Sequence, residues 1–349
     1  MRPICCLQSY RQDYAEFPPL AGHLMRHSLA FVNRSFLIPL VFMMSLATPG
    51  FAQNSGIDSS PEYLNWIEKA EKGDAEKGYL SGLAFYHGVG GAKRDYKKAF
   101  EWFKKAAKDG NSAAGTKIGD MYIWGHFVAK DEQKAFQWYL QAAKAGNTES
   151  MEKLADIYAT GEIFEKNYFE AAKWYQNAAE NSYISSPSLK LARIYYLGGE
   201  HFEKDEKKAL KWFINAFEMG DADAAHYISG IYEDNGDSRQ AGQWLIKGAH
   251  KGGTLPMFYL AKAYGRIGEY SNKSIVKFDM MQAYKWLSVL TKKEYQSRFD
   301  KLFEQVSSKI SQAEKAEAKK LAAPLIAELV TVQEFNWTKK NRAKPLKLK

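Results

Sequence analysis

Seven of the nine tryptophans in this chain recur at nearly constant spacing, and this period constrains the fold more than any other sequence feature. The intervals between them are 36, 36, 36, 38, 32 and 42 residues. The positions are Trp66, Trp102, Trp138, Trp174, Trp212, Trp244 and Trp286. Such a period is typical of repeat proteins, in which each unit buries its apolar face against its neighbours. The spacing therefore predicts an array of similar units, with the tryptophans filling the core between them.

An aspartate or asparagine stands seven residues before each of the later six tryptophans. These residues are Asp95, Asp131, Asn167, Asp205, Asp237 and Asp279. Their side chains cap helices by accepting the unpaired amide hydrogens of the first turn. Before Trp66, Ser59-Ser60-Pro61 supplies a cap and a proline at the first helical position. Each tryptophan is thus predicted to lie about two turns into a helix.

Small residues mark the rest of that helix and its end. Four residues after tryptophan stand Ala70, Ala106, Ala142, Ala178, Ala216 and Gly248, which let a neighbouring helix approach closely. Glycines at 110, 146, 220 and 252 predict the helix ends, because glycine adopts the left-handed backbone of a C-terminal cap. Ser182 takes this place in the third unit, so we expect a less regular turn there.

Another helix in each unit is predicted by an aromatic residue that follows a small one by three positions. The pairs are Gly82/Phe85, Gly119/Tyr122, Ala155/Tyr158, Ala192/Tyr195, Ser229/Tyr232 and Ala261/Tyr264. The small residue forms a notch for an aromatic side chain of the partner helix. Each unit is therefore predicted to be a helical hairpin. Stacked hairpins predict an all-α fold, a right-handed α-solenoid of about six repeats with a C-terminal helical cap.

The register divides the chain into predicted segments. They are an N-terminal extension and signal (1–52), an opening helix (53–72), six repeats (73–109, 110–145, 146–181, 182–219, 220–251 and 252–293), capping helices (294–335) and a basic tail (336–349). The sixth repeat carries an insertion around residues 271–278. Within the cap, one helix is predicted over 294–306. A capping box at Ser311-Gln-Ala-Glu314 opens a second helix over 312–323, which Pro324 kinks or restarts.

The second unit shows the repeat motif most clearly. It reads GDMYIWG from Gly119 to Gly125, and then DEQKAFQWYLQAA from Asp131 to Ala143. This motif resembles that of the Sel-one-like repeats, which are relatives of tetratricopeptide repeats, and the resemblance covers about residues 60 to 290. It implies a scaffold or adaptor, here of an exported bacterial type, that uses no cofactor and whose first helices line a concave face.

The N-terminal segment has the pattern of a secretory signal. Residues 36–47 read FLIPLVFMMSLA, with Arg26 and Arg34 before them and Gly50-Phe51-Ala52 after them. We expect cleavage after Ala52, and Met25 would begin a conventional signal by itself. The apolar run is too short for a membrane span, although an uncleaved anchor is the alternative. Since Cys5 and Cys6 both lie in the removed part, disulfides and cysteine-based catalysis or metal binding would be excluded.

Positive charge is concentrated at the C-terminus. Beyond Ala52 the net charge is +7, of which +6 lies in residues 336–349, so residues 53–335 carry only +1. A body so nearly neutral argues against nucleic acid as a partner. The tail could bind anionic lipid or a cell-envelope polymer, and a solvated end is the alternative.

Catalytic and metal-binding motifs are weak or missing. The seven histidines form no paired metal spacing, although His87, His126 and His201 fall near hairpin loops. Ser-x-x-Lys occurs at Ser150/Lys153 and Ser274/Lys277, without the other motifs of β-lactam-recognising enzymes. Gly88-Val-Gly90-Gly91 lacks the lysine of a phosphate loop and is interpreted as a hairpin loop. The sequence therefore predicts no enzyme, no metal site and no catalytic residue.

The expected contact surface is the concave face. Transferring the helical phase of tetratricopeptide arrays predicts its protein-binding residues as Tyr79, Tyr86, Asp120, Trp124, Asp156, Arg193, Tyr196 and His226. Trp124 is informative because it lies outside the tryptophan period, and partial burial against the adjacent helix is the alternative for all eight. Charge reversal at Asp120 or Asp156 is expected to weaken binding without lowering the melting temperature.

The sequence thus favours an exported scaffold or adaptor, periplasmic or secreted, that binds another protein or peptide. Two alternatives remain open at this point. One is an envelope protein that binds peptidoglycan or another glycan with help from the basic tail. The other is a serine hydrolase acting through Ser150 or Ser274.

Overall fold

The computed structural model describes residues 61–268, 276–290 and 296–341. Over these residues the chain is all-α, with fifteen helices and one isolated β-bridge between Gly199 and Phe202. The bounds are α1 Pro61–Glu71, α2 Ala75–His87, α3 Tyr96–Lys108, α4 Ser112–Trp124, α5 Glu132–Lys144, α6 Thr148–Thr160, α7 Tyr168–Asn181, α8 Ser186–Leu197, α9 Glu206–Glu218, α10 Ala224–Asp234, α11 Ser238–His250, α12 Thr254–Gly265, α13 Met280–Leu290, α14 Gln296–Ser307 and α15 Gln312–Asn341.

Six hairpins account for most of these helices, as the sequence predicts. They are α2/α3, α4/α5, α6/α7, α8/α9, α10/α11 and α12/α13, and each pair packs closely. The described residues divide into two compact units, 61–220 and 221–341. Within the first unit α4 also touches α6, and within the second α10 touches α12. In each unit, therefore, first helices of successive hairpins contact one another.

The predicted caps form as expected. All six aspartates and asparagines accept a hydrogen bond from the backbone N–H three residues ahead, as Asp131 does from Lys134 at 2.8 Å. The backbone N–H of each cap also donates to the carbonyl oxygen of the aromatic residue predicted on the preceding helix. Asp131 to Tyr122 is one such bond, at 3.0 Å. One residue pair thus fixes where the first helix ends and the second begins.

The glycine notches are also confirmed. A Cβ atom at Gly119 would lie 2.4 Å from the ring of Tyr139, and one at Gly82 would lie 2.5 Å from the ring of Phe103. Such distances are well inside van der Waals contact, so these positions accept only hydrogen as a side chain. The four predicted C-terminal glycines, at 110, 146, 220 and 252, all have positive φ. Ser182, by contrast, is extended at φ −112°, which confirms the irregular third turn.

The tryptophans are less central than the sequence predicts. Trp212 and Trp286 are buried, but the side chains of the other five lie half-buried. In hairpins one to six the residue after tryptophan fills the core instead. These residues are Phe103, Tyr139, Tyr175, Phe213, Leu245 and Leu287, all at most 3% exposed. The tryptophan period therefore marks the position next to the most deeply buried residue of each second helix. The tryptophan side chain packs at the edge of the core.

The C-terminal part of the second unit forms a cap on the last hairpin. Ser311 and Glu314 make the predicted capping box, with Ser311 N–H to Glu314 Oε2 at 2.8 Å and Glu314 N–H to Ser311 Oγ at 3.2 Å. Ala318 and Ala322 of α15 are buried in the core of this unit together with Leu287 of α13. The prediction that Pro324 could restart the helix is wrong, because α15 continues through it to Asn341. One missing N–H is tolerated since the rest of the helix keeps its bonds.

Several predicted features lie outside the described residues. They are the signal, both cysteines, the cap at 59–60, most of the insertion after residue 270, and the last eight residues of the tail. No helix among the described residues has both the length and the apolarity needed to cross a membrane.

Candidate protein-binding face

The first helices of hairpins two, three and four carry polar side chains at one equivalent position. Asp120 on α4, Asp156 on α6 and Arg193 on α8 each follow the notch residue directly. Residues one helical turn further on share the same side of each helix, and these are Trp124, Thr160 and Leu197. We call these six residues the inner-helix face. Four of the eight predicted contact residues belong to it.

Asp120 lies at the centre of a charged cluster that joins hairpins two and three. Its carboxylate accepts a hydrogen bond from the Tyr139 hydroxyl at 2.8 Å. It also pairs with Lys117 at 3.3 Å and with Lys153, on the next hairpin, at 3.1 Å. Glu149 pairs with the same two lysines at 3.1 and 3.9 Å. Two carboxylates and two ammonium groups thus neutralise one another between α4 and α6.

The electrostatics of this cluster favour the charged forms. Burial alone would raise the pKa of the Asp120 carboxyl, but Lys153 and Lys117 outweigh it and hold the pKa below its usual value. Burial would likewise lower the pKa of Lys153, and the carboxylates of Asp120 and Glu149 raise it instead. The Tyr139 pKa is raised by burial and by Asp120, so the hydroxyl remains a donor. The cluster therefore stays ionised across the physiological range.

The same arrangement repeats one hairpin later. Asp156 accepts a hydrogen bond from the Tyr175 hydroxyl, and both of its carboxylate oxygens lie 2.8 Å from Lys190 of α8. Lys190 also pairs with Glu152 at 2.8 Å. This carboxylate is more accessible than the first, since 37% of the Asp156 side chain is exposed against 16% for Asp120. In each cluster, therefore, the aspartate forms an ion pair with a lysine of the following hairpin, Lys153 for Asp120 and Lys190 for Asp156.

The pattern stops at both ends of this pair of hairpins. Leu83 and Phe103 occupy the aspartate and tyrosine positions of the first hairpin, and Arg193 and Phe213 occupy them in the fourth. The paired aspartate and tyrosine therefore occur in hairpins two and three, and Lys190 extends the second cluster to hairpin four. Lys117, Lys153, Lys190, Tyr139 and Tyr175 are the residues that the sequence analysis missed. Each lysine stands two residues before its notch residue, and each tyrosine stands twenty residues after it. Lysine is so frequent in this chain that its position alone does not indicate an ion pair.

Half-exposed apolar groups border the charged clusters. Trp124 is 44% exposed at the C-terminus of α4, and Leu197 is 56% exposed at the equivalent position of α8. Tyr86 contributes less surface, because its hydroxyl lies 2.8 Å from Nδ1 of His126 and its ring contacts Tyr96. Burial raises the pKa of Tyr86 to about 12 and lowers that of His126, so this pair is neutral at pH 7.

Three of the predicted contact residues are buried instead. Tyr79 packs on Phe103, Tyr196 packs edge-on against Phe213, and His226 stacks on Tyr259 in the second unit. For them the alternative of burial against a neighbouring helix holds. Tyr79 and Tyr196 lie three or four residues from the notch, which turns their side chains toward the second helix of their own hairpin, whereas His226 packs against α12, the first helix of the next hairpin.

The expectation for charge reversal also changes at Asp120. A lysine there would face Lys117 and Lys153, so the variant would lose stability as well as any binding. The more exposed Asp156 is enclosed by only one lysine. Binding and folding are best separated at Trp124 and Leu197.

The described residues of the serine and histidine motifs make contacts within the repeats. Ser150 is fully buried, and its Oγ lies 2.7 Å from Oγ1 of Thr116, while Lys153 pairs with Asp120. Ser274 lies outside the described residues. His87 and His126 both contact the ring of Tyr86. No group of three potential ligands suited to a metal ion is found in the described part of the chain.

Comparisons with known proteins agree with the hairpin architecture. The family model described as Sel1 repeat matches residues 79–111, 113–147, 148–183 and 189–221. A Sel1 repeat protein from Oxalobacter formigenes is 26% identical, with a TM-score of 0.51, over 66% of this chain and 98% of that one. A protective antigen present in uropathogenic Escherichia coli strains, with an SLR fold, is 21% identical, with a TM-score of 0.50, over 82% of this chain and 68% of that one.

One curated protein is also similar over a short stretch. It is the ERAD-associated E3 ubiquitin-protein ligase component HRD3A of Arabidopsis thaliana, 39% identical over 57 residues. The match spans 16% of this chain and 8% of that protein, so it concerns the repeats alone. The matches to the Sel1 repeat model thus coincide with the first four hairpins of the fold.

Proposed function

We propose that this protein is an exported scaffold or adaptor that binds another protein or a peptide through the inner-helix face. Export rests on the signal-like sequence at residues 26–52. The binding role rests on the face itself. Sel1 and related repeats are in general interaction scaffolds, which supports a protein partner.

A single observation carries the proposal. Charged side chains on three adjacent first helices are held in fixed positions by ion pairs, and Trp124 and Leu197 stand half-exposed beside them. Fixed charges confer specificity, and an exposed tryptophan at the edge of such a surface can supply much of the binding free energy. A solvated surface with no ligand would not need two large apolar groups at matching positions.

We expect Trp124→Ala to weaken partner binding at least tenfold while leaving the fold intact. Truncating a buried interface tryptophan commonly costs 2 kcal/mol or more, which is about thirtyfold in affinity. The measurement is capture of envelope and culture proteins on the immobilised full chain, with bound proteins identified by mass spectrometry and their affinities measured.

Phe169→Ala is the matched control. Phe169 is 62% exposed on α7, a second helix, so its removal takes away an exposed aromatic group outside the inner-helix face. A protein retained by the parent and by Phe169→Ala, but lost with Trp124→Ala, supports the proposal. Equal loss in both variants would argue against this face. Retention of glycan alone would favour the envelope-polymer alternative.

A further inference from the structure

A pocket in the second unit has three cationic side chains among the described residues that line it. It has a volume of about 400 Å³ and lies between α11, the end of α12 and the segment that leads into α13. Arg239, Arg266 and Lys277 contribute to its wall, and none of the described residues that line it is acidic. Asp237 precedes the wall residue Arg239 by two positions in the sequence, Asp279 follows Lys277 by two, and they cap α11 and α13 respectively.

Arg266 is the most unusual residue of this pocket. Its Nε atom is buried and has no hydrogen-bond partner among the residues that the structure describes. A buried donor without a partner is costly, so one in a native structure calls for an explanation. Arg266 also has φ +48°, a left-handed conformation that is uncommon for residues other than glycine. Backbone strain of this kind is concentrated at ligand sites.

The chemistry of the wall defines the kind of ligand. A guanidinium group donates to two oxygens of a phosphate or carboxylate at once, and two further cations favour a group with more than one negative charge. Ile246 and Val276 supply an apolar part of the wall, and Gln243 supplies an amide. The volume lies in the range of small-molecule sites and exceeds that needed by a single inorganic anion.

We propose that this pocket binds a small organic molecule with a multiply charged oxyanion, which Arg266, Arg239 and Lys277 hold. The oxyanion satisfies the buried Nε of Arg266 and neutralises the three cations. The apolar wall receives the body of the molecule. This site is separate from the inner-helix face and does not depend on the proposed protein partner.

The test is isothermal titration of the full chain at low ionic strength, with pyrophosphate and citrate as separate probes. We expect binding of at least one probe, weakened at least tenfold in Arg266→Gly and in Arg239→Gln. Glycine suits the positive φ at position 266, so this variant should keep or raise the melting temperature. Lys319→Gln is the matched control, because Lys319 is an exposed lysine of α15 in the same unit.

Each outcome has a definite meaning. Binding of both probes with loss in Arg266→Gly establishes oxyanion recognition, and binding of only one probe identifies phosphate or carboxylate as the group recognised. No heat of binding from either probe at millimolar concentration would overturn the proposal. Equal weakening in Lys319→Gln and Arg266→Gly would also overturn it, since that result reflects net charge alone.

Discussion

Replacing Asp120 with alanine is expected to lower the free energy of unfolding by about 2 to 3 kcal/mol. The substitution leaves Lys117 and Lys153 without their shared carboxylate and leaves the Tyr139 hydroxyl without its acceptor. Breaking a fully buried pair costs about 3 to 5 kcal/mol. The expected loss is smaller here because the Lys117 and Lys153 side chains are 21% and 32% exposed, so solvent screens part of the interaction. Urea unfolding of parent and variant measures the difference.

Two further variants make this result specific. Asp131→Ala removes a helix cap and a surface ion pair with Lys134, and should cost about 1 kcal/mol. The triple variant Asp120→Leu, Lys117→Met and Lys153→Met removes three of the four charges and leaves Glu149, whose side chain is 42% exposed to solvent. Leucine already occupies the position equivalent to Asp120 in the first hairpin. The triple variant should recover most of the lost stability. If Asp120→Ala costs no more than Asp131→Ala, the cluster does not hold hairpins two and three together.

Acidification from pH 7 to pH 5 is expected to destabilise the chain by about 2 kcal/mol through His226 alone. Burial, together with a smaller effect of Lys262 on α12, lowers the pKa of this histidine from 6.5 to about 3. The ring is 7% exposed and stacks on Tyr259 at a centroid distance of 4.0 Å. The unfolded state takes up a proton below pH 6.5 while the folded state stays neutral. Below pH 6.5, each further pH unit down to pH 5 therefore lowers the free energy of unfolding by about 1.4 kcal/mol.

The direction of the effect follows from proton uptake. Stability is full above about pH 6.5, falls as the pH drops toward 3, and is lost no further below that value. Denaturant unfolding at pH 7 and pH 5 should therefore show a smaller change in His226→Gln than in the parent, since glutamine does not titrate. His201→Gln is the control because His201 is almost fully exposed. An identical pH response in His226→Gln and the parent would contradict this account.

The repeat architecture could be predicted from the sequence because its signals are local. A cap such as Asp131 acts on an amide three residues away, and a notch such as Gly119 lies in the same hairpin as the ring it accepts. Both leave a fixed spacing in the chain. The tryptophan period gave the correct register, although Tyr139 and its equivalents are more deeply buried. Periodicity identifies the buried face of a helix to within about one residue. It does not show which of two adjacent residues is the more deeply buried.

The candidate site was only partly predictable, because its contacts join different hairpins. Asp120 was chosen from helical phase, but its bond to Lys153 depends on how α4 and α6 stack. His226 and Tyr196 were predicted on the same face, but they lie three or four residues from the notch and are buried against Tyr259 and Phe213. The pocket around Arg266 combines residues from three separate segments, and no spacing in the sequence marks it.

Amide hydrogen exchange of the full chain with and without its retained protein partner tests the central claim most directly. The inner-helix face predicts slower exchange in α4, α6 and α8 on binding, strongest at residues 120–124, 156–160 and 193–197. The second helices α3, α5 and α7 should exchange as they do in the free protein. Protection confined to those second helices, or no change in α4, α6 and α8, would contradict the proposed binding face.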